Sequence, residues 1–138
     1  MVKKIISLML VIVLSLGMVG TGSASNVSTY DISGHTKYSM PSINNKKATC
    51  KSIYRSLSDD CSSIAAVQTL EKHSWLVFWD TVGDECTTTV TNKDELSFTN
   101  YKDNLDSGTY RVKTVFTVVL KNGKSDTVTV YSSEEAIP

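Results

Sequence analysis

From Thr109 to Leu120 the chain alternates with period two. Tyr110, Val112, Thr114, Phe116, Val118 and Leu120 share one face, and the other face begins with Arg111 and Lys113. Successive side chains of a strand point to opposite sheet faces, so this pattern predicts a half-buried β-strand. Lys121-Asn122-Gly123-Lys124 follows, and Asn-Gly is the strongest short hairpin signal. Asp126–Ser132 is then the return strand, with Val128 and Val130 inward and Thr127, Thr129 and Tyr131 outward.

Upstream the alternation is less clean. Lys46–Arg55 sets Ala48, Cys50, Ser52 and Tyr54 against Lys47, Thr49, Lys51 and Ile53. Ser62–Glu71 predicts a strand, although its alanines and Gln68 also permit a short helix. Trp75–Thr81 alternates Trp75, Val77 and Trp79 with Leu76, Phe78 and Asp80. Cys86–Thr91 and Glu95–Asn100 follow, and one or two more strands fit between Thr29 and Ile43. About seven or eight short strands with regular turn signals predict an all-β, antiparallel sandwich; a closed barrel is the rival architecture.

The N-terminus breaks the pattern. Lys3 and Lys4 precede an almost unbroken apolar run from Ile5 to Val19, and Gly20–Ser25 holds only small residues and Thr21. Charged start, apolar middle and small-residue exit predict a secretory signal peptide over 1–25. Ser23-Ala24-Ser25 favours cleavage before Asn26, which leaves one domain, 26–138. An uncleaved anchor is the alternative, although the apolar run is shorter than the roughly 20 residues of a spanning helix. The expected localisation is secreted, with no membrane association after signal cleavage. The whole chain is 138 residues with 14 basic and 14 acidic side chains. Losing Lys3 and Lys4 leaves 12 basic against 14 acidic and a net charge of −2. No basic field points to nucleic acid.

One stretch carries a family signal. Asp106-Ser107-Gly108-Thr109-Tyr110-Arg111-Val112 resembles the Asp-x-Gly-x-Tyr-x-Cys signature of immunoglobulin-type domains. There the tyrosine opens a late strand and its hydroxyl bonds back to the preceding turn, forming a tyrosine corner. The resemblance implies an immunoglobulin-like sandwich and a structural role for Asp106, Gly108 and Tyr110. Val112 stands where the family has its second core cysteine, so the usual inter-sheet disulfide has no second sulfur. Cys50 is then the candidate for the first position. More widely, Ala48-Thr49-Cys50-Lys51, Trp75 with Trp79, Gly108–Lys113, Gly123-Lys124 and Thr127–Thr129 resemble small secreted proteins of Gram-positive bacteria with no assigned function. Members of that group often carry a further cysteine upstream, in the neighbourhood where this chain has Lys37.

The cysteines are Cys50, Cys61 and Cys86. Export permits one disulfide and leaves one thiol over. A hairpin turning near His73 would set Cys61 opposite about residue 85, which favours a Cys61–Cys86 clip. Cys50 reads as a buried, inert thiol. Pairing between chains is the alternative, with a monomer favoured over a covalent dimer.

Candidate chemistry is sparse. His35 and His73 are the only histidines and lack metal-ligand spacing. No nucleophile elbow, phosphate loop or catalytic-cysteine signature is present, and no cofactor is implied. Asp59-Asp60, Asp84-Glu85 and Asp103 with Asp106 read as solvated turn charges rather than calcium ligands. Trp75, Phe78 and Trp79 are the candidate binding residues. A strand apolar on both faces either packs a tryptophan in the core or exposes a hydrophobic patch, and such patches mark contacts. The expected function is a non-catalytic, secreted module recognising an extracellular protein or glycan. A self-assembling envelope or matrix component is the alternative, and a small secreted hydrolase using His73 or His35 comes third.

Overall fold

The computed structural model describes residues 36–138. The signal-peptide reading, His35 and any strand within 29–35 lie outside the described residues. Those residues form nine strands: β1 (Thr36–Asn44), β2 (Lys47–Arg55), β3 (Cys61–Trp75), β4 (Phe78–Thr81), β5 (Cys86–Thr91), β6 (Glu95–Lys102), β7 (Gly108–Leu120), β8 (Ser125–Tyr131) and β9 (Glu135–Ile137). One antiparallel sheet has the order β1-β2-β6, and the other runs β4-β3-β7-β8. Short β5 and β9 extend the second sheet by pairing with β3 and β7.

The turns follow local chemistry. Asn45 and Lys46 both take positive φ, 49° and 61°, as a two-residue turn of type I′ requires. Between β7 and β8, Gly123 takes φ 84° and the Asn122 Oδ1 accepts the Lys124 amide at 3.0 Å. The Asn-Gly signal therefore marks a real turn.

Alternation sets the core. On β7 the six residues from Tyr110 to Leu120 at even positions are all buried, and on β2 Ala48, Cys50, Ser52 and Tyr54 face the same interior. Two apolar clusters result. Tyr54, Ile64, Leu96, Phe116 and Val118 belong to one. Ala48, Cys50, Leu70, Leu105, Tyr110 and Val112 form the other. Buried polar groups lie between the two along the strands. Ser39 Oγ donates to Thr114 Oγ1 at 2.6 Å, Ser52 Oγ shares a bond with Thr114 at 2.7 Å, and Gln68 Nε2 donates to Ser52 Oγ at 2.6 Å. These bonds join β1, β2, β3 and β7 across both sheets. Shifting one strand by a single residue would bury its charged face and break the bonds, so the belt pins register.

Several expectations change. Ser62–Glu71 is strand throughout, within the longer β3, and the helix alternative fails. Trp75–Thr81 is not one strand: Trp75 ends β3, Leu76 and Val77 turn, and β4 starts at Phe78. The three-residue β9 carries too short a period to be read. The Cys61–Cys86 clip is also corrected. Cys61 lies opposite Leu120, Cys86 lies opposite Gln68, and all three cysteines are free thiols. The cause is register. The chain turns at Leu76–Val77 instead of His73, and extra residues between β4 and β5 slide Cys86 further along β3.

Candidate functional site: an apolar hairpin tip

The β3–β4 hairpin projects beyond its sheet. Its ladder pairs Glu71 with Thr81, Lys72 with Asp80 and His73 with Trp79, then slips so that Trp75 faces Phe78. That slip leaves Leu76 and Val77 at the turn. Turn tips ordinarily use Gly, Asn, Asp or Ser, which tolerate unusual φ and solvate well. This tip is Trp75-Leu76-Val77-Phe78, exposed at 67 %, 65 %, 79 % and 57 % respectively. Leu76 takes φ 50°, a region where a side chain with Cβ is disfavoured. The residue types thus depart from hairpin preference at Leu76 and Val77, and Leu76 takes the positive φ that such turns ordinarily give to Gly, Asn or Asp.

The tip is nevertheless ordered by local bonds. The Trp75 and Phe78 rings stack 6.3 Å apart, with planes 6° from parallel. His73 Nε2 donates to the Leu76 carbonyl at 2.6 Å, which places a proton on Nε2. Ser74 Oγ donates to the Phe78 carbonyl at 3.2 Å. These contacts hold the apolar side chains outward without burying them.

Below the tip an aromatic and charged face continues the surface. Arg111 on β7 lies between the Trp79 ring, 4.0 Å from its centroid, and the Tyr131 ring, at 4.3 Å. Its Nε donates to Glu71 Oε2 at 2.7 Å, which fixes the guanidinium plane between the rings. His73 packs edge-on to Trp79 at 5.1 Å. A hollow of about 420 Å³ lies against His73, Leu76, Val77, Trp79, Arg111 and Glu134. A larger cleft, about 530 Å³, opens on the other side over Lys72, Asp80, Asp103, Asp106 and Tyr110.

Of the expected binding residues, Trp75 and Phe78 are exposed at the tip, whereas Trp79 is half-buried beneath Arg111. Neither tryptophan belongs to the two core clusters. Leu76, Val77, Arg111 and Tyr131 join the site without having been singled out as binding residues. The readable signal was the run Trp75–Phe78, apolar on both faces of the strand its alternation predicts. Arg111 and Tyr131 gave none, because they reach Trp79 only through the combined β4–β3, β3–β7 and β7–β8 registers.

At the second expected feature, Tyr110 Oη donates to the Asp106 carbonyl at 2.7 Å, the bond a tyrosine corner requires. Asp106 contributes its backbone while its side chain is exposed. Gly108 takes φ 147°, and a Cβ there would stand 2.5 Å from Lys72 Cε. That Lys72 amine lies over the Tyr110 ring at 5.7 Å. Among the described residues no three His, Cys, Asp or Glu side chains are grouped to hold a metal ion. Burial pushes the Cys50 thiol up to about 11, with Lys102 opposing and Cys86 adding to the shift. Burial likewise raises the Cys61 thiol.

Comparison with family models, curated proteins and solved structures finds no match to this chain.

Proposed function

We propose that this chain is an exported, immunoglobulin-like binding module that docks an extracellular protein through the Trp75–Phe78 tip. The observation that carries the reading is the apolar tip itself. Leu76 and Val77 occupy a turn that polar residues would serve better, and all four tip side chains are left to solvent. Rules of local structure are most often broken where function demands it.

A protein partner fits this surface better than a glycan. Sugar rings stack on aromatic faces and need hydrogen-bonding groups around them. Leu76 and Val77 supply neither, whereas an apolar pocket on a protein accepts both. A non-catalytic role is supported by His73, whose Nε2 is bonded to a backbone carbonyl rather than to a hydroxyl nucleophile. The immunoglobulin-like reading is supported by topology. Sheets ordered β1-β2-β6 and β3-β7-β8 correspond to strands A-B-E and C-F-G of that fold, with Tyr110 at the corner before F. The fourth strand differs, since β4 and β5 both pair with β3. Export rests on the charged start, apolar run and small-residue exit of the first 25 residues. The resemblance to small secreted Gram-positive proteins agrees with it.

The test is a photoreactive benzophenone amino acid at position 77, with the full-length chain expressed in its own secretory setting. The reading expects one discrete protein adduct, competed by excess unlabelled protein and lost in Trp75→Ser/Phe78→Ser. Adducts only to glycan, or only to a second copy of the chain, would replace it with the carbohydrate or the self-assembly reading.

A further inference from the structure

The cysteines are nucleophilic groups that tip binding does not use. Cys50 on β2 points between the sheets and is 2 % exposed. Its partner across the β2–β6 ladder is Asn100, and the Asn100 amide donates to the Cys86 sulfur. Cys86 on β5 in turn faces Gln68 across the β3–β5 ladder, and Gln68 Nε2 donates to the Cys50 carbonyl at 3.2 Å. The four residues therefore close a ring across the sandwich, with each cysteine tied through an amide to the strand beside the other. The Cys86 sulfur also contributes to raising the Cys50 thiol, behind burial.

Cys61 is remote from this ring. It lies in the other apolar cluster, with Tyr54 and Phe116. Along β3 it is seven positions from Gln68, about 23 Å at roughly 3.3 Å per residue. Neither Cys50 nor Cys86 can reach it within a disulfide's Cα separation of roughly 7 Å at most.

We propose that Cys50 and Cys86 are a dithiol pair that closes into an inter-sheet disulfide. The bond is not the one suggested by the tyrosine-corner likeness, which would set Cys50 against Val112. It joins β2 to the edge strand β5, whose one ladder partner among the described residues is β3. An edge strand held on one side can move inward to bring the two Cα atoms into range, and the Asn100 amide rotates off the sulfur as it does.

The chemistry is thiol–disulfide exchange with a small-molecule disulfide. Cys86 is the more exposed sulfur and attacks first. Its thiolate forms a bond to one sulfur of the reagent, and the reagent's other sulfur leaves as thiolate. Cys50 then loses its proton and attacks the Cys86 sulfur, expelling the second reagent thiolate. The two cysteines are oxidised by two electrons, and the reagent disulfide is reduced to two thiols. Cys50 is the slow partner because its deprotonation is suppressed by burial.

The experiment incubates the reduced, folded protein with oxidised glutathione. Alkylation, intact mass and non-reducing peptide mapping follow. The proposal expects a monomer lighter by two hydrogens, one peptide link joining residues 50 and 86, and Cys61 alkylated on denaturation. Cys61→Ser keeps the link. Cys50→Ala stops at a glutathione adduct on Cys86. The oxidised form melts about 10 °C or more above the reduced form, a gap that reductant removes. Three free thiols after full oxidation, a link through Cys61, or covalent dimers alone would overturn the proposal.

Discussion

Replacing the tip's two turn residues by the preferred hairpin pair, Leu76→Asn with Val77→Gly, separates fold from function. At 65 % and 79 % exposure, these side chains have only about a third and a fifth of their surface buried. Full burial of such a side chain stabilises by about 1.5–3 kcal/mol, so removing both forfeits about 1–1.5 kcal/mol of folding energy. Against this, Leu76 leaves a left-handed conformation at φ 50°, whose strain costs about 1–2 kcal/mol for a residue with Cβ. Asn-Gly also suits a tight hairpin. The two effects offset, and the variant is expected to fold within about 1 kcal/mol of the parent. The exposed remainder of the same side chains represents about 2–4 kcal/mol available to a partner. Its loss weakens binding roughly 30- to 1,000-fold. Urea unfolding followed by far-ultraviolet circular dichroism gives the stability, with an unchanged m-value confirming the same unfolding transition. A stability loss beyond about 2 kcal/mol would refute the reasoning, because it would mean the tip is part of the packed structure.

Other perturbations probe the frame beneath the tip. Tyr110→Phe removes the bond to the Asp106 carbonyl and is expected to lower stability by about 1 kcal/mol in the same urea titration. Gly108→Ala forces a Cβ into a positive φ and against Lys72, and calorimetry should show a loss of about 1–2 kcal/mol. Thr114→Val keeps the volume but strips Ser39 and Ser52 of a buried partner, for a loss of about 1–3 kcal/mol in chemical unfolding. In reductant, stability should fall as pH rises from 9 to 11. Cys50 is held protonated in the fold up to about 11 against an ordinary 9.0, so above pH 9 the native state binds more protons than the unfolded state. The full loss is about 2–3 kcal/mol, and Cys50→Ala should flatten that part of the pH profile.

What the sequence revealed divides along physical lines. The burial of alternate β7 residues from Tyr110 to Leu120 was legible because one face meets the core and the other meets solvent. The β7–β8 turn was legible because Asn122-Gly123 carries its own backbone preference. The β3–β4 turn was hidden for the opposite reason. Leu76 and Val77 look like strand residues, so Trp75–Thr81 read as one strand and the turn was placed too early, near His73. That error misplaced Cys86 along β3, setting it opposite Cys61 where the structure sets it opposite Gln68. Cys50 read correctly as buried, but its nearness to Cys86 depends on how one sheet lies over the other, which no local pattern encodes. Arg111 between Trp79 and Tyr131 is a product of four strands, β4, β3, β7 and β8, in register and was equally invisible.

The central claim, that the tip docks a protein, is tested most directly by watching Trp75 alone. The chain has two tryptophans, Trp75 and Trp79, so Trp79→Phe leaves Trp75 as the single reporter. In the free protein its fluorescence should be that of a solvated indole, readily quenched by iodide. Titration with the protein captured at position 77 should shift the emission to shorter wavelength and abolish quenching, with the Leu76→Asn/Val77→Gly variant needing far more partner. Emission and quenching unchanged at saturating partner would contradict the claim, because the bound surface would then lie elsewhere on the sandwich.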